Sequence, residues 1–201
     1  GALSADTLGA RSTALGYNAL GNQNFTTATQ THNVAVGFGA AGNITTGTLN
    51  TIVGSLAGDA LTTGGDNVAV GYSALSAEDA HGLNVAVGAQ ALRVQNAGAN
   101  AYNVGVGYNA GGAITTGIFN TLIGGQAGDN LTDADQNVAI GLNALTQDTL
   151  GSFSVAVGTS ALGTQNFTTA TNTYNTAVGH SAGLSVTTGT LNTLVGGLAG
   201  D

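Results

Sequence analysis

The chain has 201 residues, of which only 6% are charged, and its ten carboxylates against two arginines give a formal net charge of −8. An acidic chain without a basic patch argues against nucleic acid as a partner, and no apolar run is long enough to cross a membrane as a helix. Cysteine, proline, methionine and tryptophan are absent and glycine numbers 34, so neither a disulfide scaffold nor a core of large aromatic side chains is available.

Taken in chain order, one five-residue phrase recurs. A weak first copy, Ser12-Thr-Ala-Leu-Gly16, is followed by Asn33-Val-Ala-Val-Gly37, Asn50-Thr-Ile-Val-Gly54, Asn67-Val-Ala-Val-Gly71 and Asn84-Val-Ala-Val-Gly88. Then come Asn103-Val-Gly-Val-Gly107, Asn120-Thr-Leu-Ile-Gly124, Asn137-Val-Ala-Ile-Gly141, Ser154-Val-Ala-Val-Gly158, Asn175-Thr-Ala-Val-Gly179 and Asn192-Thr-Leu-Val-Gly196. The closing glycines are spaced by 21, 17, 17, 17, 19, 17, 17, 17, 21 and 17 residues. The unit is therefore 17 residues, with a longer unit every fourth time and super-repeats of about 71 residues. Positive mean hydropathy and this periodicity argue against disorder. The whole of 1–201 reads as one continuous array that begins and ends in mid-unit, as expected of a piece of a longer fibre.

Alternation within the phrase predicts a strand. A 17-residue unit predicts one coil of a parallel β-solenoid with two short strands, about eleven coils in all, with identical residues stacked along the axis. The Asn column is expected to form an amide ladder, the phrase-closing Gly to permit a positive φ, and the Ala three residues later to mark a place where nothing larger fits. Thr-Thr-Gly at 45–47, 62–64, 115–117 and 187–189 reads as an outer turn. The fourth phrase column (Val36, Val53, Val70, Val87, Val106, Ile123, Ile140, Val157, Val178, Val195) is expected to form the buried stack. The third column is also apolar, and a strand apolar on both faces is covered on both. That column, with Ala35, Ile52, Ala69, Ala86, Leu122, Ala139 and Leu194, is thus the expected interface between copies of the chain.

The phrase Asn-Val-Ala-Val-Gly with Ala three residues on resembles the head repeat of YadA-like trimeric autotransporter adhesins, and repeats of phage tail fibres and other bacterial surface fibres. The resemblance spans nearly the whole chain, although the adhesin repeat is shorter than 17 residues. It implies a left-handed β-roll, a homotrimer, and a place outside the cell or on a virion.

Two enzyme-like patterns arise from the repeat's own columns. Gly37-Phe-Gly39-Ala-Ala-Gly42 matches a dinucleotide-binding pattern but lacks the helix and the distal acid that such a site needs. Gly179-His-Ser181-Ala-Gly183 matches a nucleophile elbow, in a column that elsewhere holds Gly39, Asn109 and Gln126. His32, His81 and His180 fall in different columns and form no ligand set, and Asp59, Asp129 and Asp201 recur without a calcium-binding pattern. Asn24, Asn43, Asn130 and Asn166 head sequons, meaningful in a glycosylating secretory pathway. The expectation is no catalytic residue, no cofactor and no metal.

The long units carry near-identical insertions, Asn24-Phe-Thr-Thr-Ala-Thr-Gln-Thr31 and Asn166-Phe-Thr-Thr-Ala-Thr-Asn-Thr173, while the middle version from Val94 to Tyr102 differs. Phe25, Thr26, Thr27, Phe167, Thr168 and Thr169 are the candidate surface contacts, since loops on a rigid scaffold commonly carry recognition. The expected function is a structural and adhesive segment of a trimeric surface adhesin or tail fibre, with itself and a host-surface or glycan receptor as partners. A self-assembling extracellular filament is the alternative; ice binding by threonine arrays stands below both, because the Thr pairs skip whole coils.

Overall fold

The computed structural model describes all 201 residues and contains no helix. Eleven three-residue strands, one per phrase, run from Thr13–Leu15 and Val34–Val36 to Thr176–Val178 and Thr193–Val195. They form one parallel eleven-stranded sheet in sequence order. Register is that of the repeat: Ala35 lies opposite Ile52, and Ile52 opposite Ala69. The chain is therefore a β-solenoid of about eleven turns.

The second strand expected in each coil is absent from most of them. Two-residue pairs form only at the 21-residue coils, where Gly9–Ala10 pairs with Thr29–Gln30 and Gly151–Ser152 with Thr171–Asn172. The return path carries residues held in the left-handed region, which cannot continue a strand. Leu20, Leu75, Leu92, Leu145 and Leu162, one column past the constant Ala, have φ between 47° and 53°. Each is tolerated because its amide or that of a neighbour bonds the next coil, as in Leu20 N–H to Ala40 O (3.1 Å) and Leu75 N–H to Ala91 O (3.0 Å).

Glycine at the phrase end has a steric cause. Gly37 and Gly124 have φ of 140° and 136°, and a Cβ there would lie 2.5 and 2.4 Å from the carbonyl oxygen of the next coil's glycine. Neither the dihedral nor the space admits a side chain.

The strand faces are the reverse of the expectation. Period-two alternation puts Asn33 and Ala35 on one side and Val34 and Val36 on the other, and it is the Asn–Ala side that is buried completely. In the fourth column Ile123, Ile140, Val178 and Val195 are exposed and the other Val and Ile residues are only partly buried. The bulkier residues point outward because a 17-residue coil encloses too little width for them together with the inward Asn amide.

Volume inside the coil is instead shared between the third column and the column past the constant Ala. Where the third column is Ala, as at Ala69 and Ala139, the second position is Leu75 and Leu145; where it is Ile52, Leu122 or Leu194, the second position is Gly58, Gly128 or Gly200. A Cβ on Gly128 would sit 2.8 Å from Leu122 Cδ2, and one on Gly58 3.1 Å from Ile52 Cδ1. Where both are small, as at Gly105 and Gly111, Leu92 and Leu122 lean in from the adjacent coils. The large third-column residues thus recur every fourth coil to fill the core. We predict that Leu122→Ala costs about 2–5 kcal/mol and that Gly128→Leu, whose column already accepts leucine at φ near 50°, recovers part of the loss. Denaturant unfolding of the single and double variants measures this; a double variant less stable than Leu122→Ala would contradict the complementarity.

Candidate functional site

From Asn33 to Asn175 the asparagine column is a fully buried polar line. Each amide works in two directions. Asn50 donates from Nδ2 across its own coil to Gly64 O (2.9 Å), and Oδ1 of Asn50 accepts the backbone N–H of Asn67 in the next coil (3.1 Å). The pattern repeats at Asn103, which donates to Gly117 O (2.7 Å) and accepts from Asn120 N–H (2.8 Å). The expected ladder therefore forms, through backbone amides as much as through side chains.

A second inward column holds Asp6, Gln23, Ile44, Leu61, Glu78, Gln95, Ile114, Leu131, Asp148, Gln165 and Val186. Two apolar coils alternate with an acid–Gln pair. Glu78, Gln95, Asp148 and Gln165 are completely buried. Gln165 donates to Asp148 Oδ2 (2.6 Å) and accepts from Asn175 Nδ2 (2.8 Å); Gln95 links Glu78 to Asn103 in the same way (3.2 and 2.9 Å). Asp148 Oδ1 also accepts the backbone N–H of Gly151 (3.1 Å) and Phe167 (2.9 Å). Sequence reading missed these carboxylates; aligning the long units by column reveals an acid one coil before each insertion.

Those bonds hold the insertions. Phe25 and Phe167 are buried, turned inward as plugs, so they are not surface contacts. Thr26, Thr27, Thr168 and Thr169 are exposed. Thr29 Oγ1 donates to Thr27 O (3.0 Å) and Thr171 Oγ1 to Thr169 O (2.9 Å), so both tips take one shape.

The third-column residues expected to meet another copy lie inside the chain. Ala35, Ile52, Ala69, Ala86, Leu122 and Ala139 have no exposed surface, and Leu194, in the last coil, packs on the same core. A residue with no surface of its own cannot contact a second molecule, so this interface assignment is corrected. The outward strand face is what remains open. Its two central columns contain only Val, Thr, Ile and Leu across all eleven coils, with no charge. On one flank stand Tyr17, Phe38, Tyr72, Tyr108 and Leu142, each more than half exposed. On the other are Leu49, Tyr102, Phe119 and Tyr174. Aromatic neighbours stack along the axis, Tyr17 on Phe38 at 5.4 Å and Tyr102 on Phe119 at 5.5 Å between ring centroids.

The remaining polar groups are scattered, with one exception. Ser181 is buried rather than a surface position, and its hydroxyl lies 3.4 Å from Nε2 of adjacent His180. His81, by contrast, joins Glu78 and Asp79 with ligand atoms within 4.8 Å of one another, a grouping the column positions of the histidines concealed. Burial pushes the Asp59 carboxyl up, against the effect of its own backbone N–H, and its Oδ1 has no partner. Burial also acts upward on Asp6, but bonds from Gln23, Gly9, Phe25 and Leu8 outweigh it and hold that carboxyl below its usual range. Compared with protein-family models, curated proteins and solved structures, the chain gives no match in any of the three.

Two outcomes follow from these carboxylates. Asp148→Ala strands three donors, the Gln165 amide and the backbone N–H groups of Gly151 and Phe167, and is expected to cost about 3 kcal/mol or more; hydrogen exchange should rise first in 166–173. Asp59 is raised in the folded state, so its ionised form opposes folding at neutral pH, and that penalty fades as pH falls through the raised value. Asp59→Asn should therefore raise Tm at pH 7 and lose that advantage near pH 4 and below; a gain that persists unchanged at pH 3 would refute the desolvation account.

Proposed function

We propose that the chain is a rod segment of an extracellular homotrimeric fibre, of the surface-adhesin or tail-fibre kind, serving as shaft and multivalent binder. The observation that carries this reading is the outward strand face. With about 4.8 Å per coil and about 3.3 Å per residue, the seven columns from one aromatic flank to the other cover about 50 by 20 Å. That is about 1,000 Å², beyond the largest apolar patch of an ordinary monomer and close to the roughly 800 Å² each partner commits to a stable interface. The occupant that fits is another copy of the same chain: its face has the same axial repeat, its two central columns carry no charge, and the Val, Thr, Ile and Leu side chains of those columns stand between flanks that hold the exposed aromatic rings.

Adhesion in this reading comes from number rather than from one strong site. The tips at Thr26–Thr27 and Thr168–Thr169 stand eight coils apart on each chain, and three chains present them around one axis. Weak hydroxyl contacts to a glycan or host surface then combine through effective concentration. Asp148 is committed to the loop it supports, through the Phe167 N–H and the Gln165 amide.

Native mass spectrometry tests the assembly. The expected particle is three times the 19.4 kDa chain. Val70→Asp with Val87→Asp, both outward, should dissociate it while leaving the far-ultraviolet spectrum unchanged, and Thr63→Asp, exposed on another side, should not. A stable wild-type monomer would overturn the proposal, and growth without limit as concentration rises would replace the trimer by the filament.

A further inference from the structure

The three super-repeats provide internal controls for one another, and at one place the middle one departs from both neighbours in four positions at once. Asp6, Thr7 and Gly9 in the first correspond to Asp148, Thr149 and Gly151 in the third; in the second the same columns hold Glu78, Asp79 and His81. In the following coil Phe25 and Phe167 correspond to Ala97. Two of the four changes introduce a metal-ligating side chain, one lengthens a carboxylate already in place, and the fourth removes the ring that plugs the neighbouring insertions.

We propose that Glu78, Asp79 and His81 form a binding site for a borderline divalent cation of the Zn²⁺ type. His81 Nδ1 lies 3.5 Å from Glu78 Oε1. That separation matches the edge of a tetrahedron with bonds of about 2.0–2.1 Å, so these two ligands are already spaced to share one ion. The carboxylate of Asp79 lies within 4.8 Å of both, on an exposed residue free to rotate inward.

Two observations separate this from a chance grouping of charges. First, His81 Nδ1 is shielded from solvent and has no hydrogen-bond partner, although it faces a carboxylate. A buried ring nitrogen left without a partner is costly, and coordination removes that cost. Second, Glu78 is held as a ligand would be: its side chain is completely buried, Oε2 accepts from Gln95 Nε2 (3.2 Å) and Oε1 from His81 N–H (3.2 Å). Such outer bonds fix the direction of a ligating carboxylate.

Packing explains part of the substitution pattern and leaves the rest. A Cβ at Gly9 or Gly151 would meet Asp6 or Asp148 Oδ2 at 2.1 Å. A side chain at 81 therefore requires the longer Glu78, whose carboxylate sits farther out. Packing does not account for Asp79. Thr149 Oγ1 donates to Phe167 O (2.8 Å), a bond that a carboxylate cannot make. Replacing that donor with an acceptor beside Glu78 adds negative charge to a place that already holds some, which a bound cation offsets. One imidazole with two carboxylates suits Zn²⁺ or a similar first-row ion better than Ca²⁺, which prefers an all-oxygen shell of six to eight ligands. This site is independent of how copies associate.

Isothermal titration of the intact chain with zinc chloride, in a non-chelating buffer, is the test. One equivalent per chain is expected. His81→Gly and Asp79→Thr restore the residues of the neighbouring super-repeats, and each is expected to weaken binding at least tenfold; His180→Ala, at an exposed histidine, should leave it unchanged. The His81 ring resonances should shift on titration while those of His32 and His180 stay. If His81→Gly does not fold, Asp79→Thr alone decides, because Asp79 is exposed. Absence of binding, or binding that both restoring variants leave intact, would overturn the site.

Discussion

The structure depends on the inward asparagine. Its side-chain amide bonds both across a coil and along the axis: Nδ2 closes the 17-residue loop onto a carbonyl on its far side, while Oδ1 takes the backbone N–H of the next coil's asparagine. A buried amide that lost either bond would carry a desolvation cost of about 1–3 kcal/mol. Because the Oδ1 bond requires the next coil at the same phase, the column enforces in-register stacking, and the parallel sheet is its consequence. The two exceptions support this. Ser12 and Ser154 replace Asn where Gln23 and Gln165 of the same coil reach in to bond the hydroxyl (3.1 and 2.9 Å).

An amide at the centre of so short a coil leaves little room. The inward strand residue opposite a leucine must be Ala or Gly, and the residue opposite Ile52 or Leu122 must be Gly. The β-branched residues that a strand favours are then displaced to the outer face. A coil built this way buries small side chains within itself and presents its larger apolar groups outward, so much of the apolar area available to the chain is gained only when another surface covers that face.

The columns of the repeat were legible from the chain alone: the coil length, the parallel stacking, the asparagine line and the crowded glycine all follow from spacing. The assignment of inside and outside did not, because both strand faces are apolar and hydrophobicity ranks Val36 above Ala35. The deciding fact lies one residue earlier. Asn33 shares a face with Ala35, and an asparagine that stacks with its copies belongs inside. The same applies to Glu78 and Asp148, which look like loop charges until their column is seen to contain Ile44 and Leu61. Nor could Phe25 and Phe167 be placed as plugs, since a phenylalanine among threonines at a loop tip reads equally as exposed.

The four-coil period has one physical origin in the insertions. A 21-residue coil must let several residues leave the stack and return, and the backbone groups at the exit lose their axial partners. Asp148, one coil earlier, supplies acceptors for the Phe167 amide and for Gln165; Gln165 reaches Ser154, and the Ser154 hydroxyl meets Thr173 Oγ1 (2.6 Å) where the insertion returns. The buried acid and the bulged loop are parts of one device, which is why they recur together. Polar side chains then occupy the inward column in two coils of every four, with Leu75, Leu92, Leu145 and Leu162 beside them restoring apolar volume; in the other two coils Ile, Leu or Val takes that column and the neighbouring position shrinks to Ala or Gly. Core composition, loop placement and super-repeat length therefore vary together: lengthening a coil elsewhere in the array would require an acid beneath it, a glutamine beside it, and a leucine moved to match.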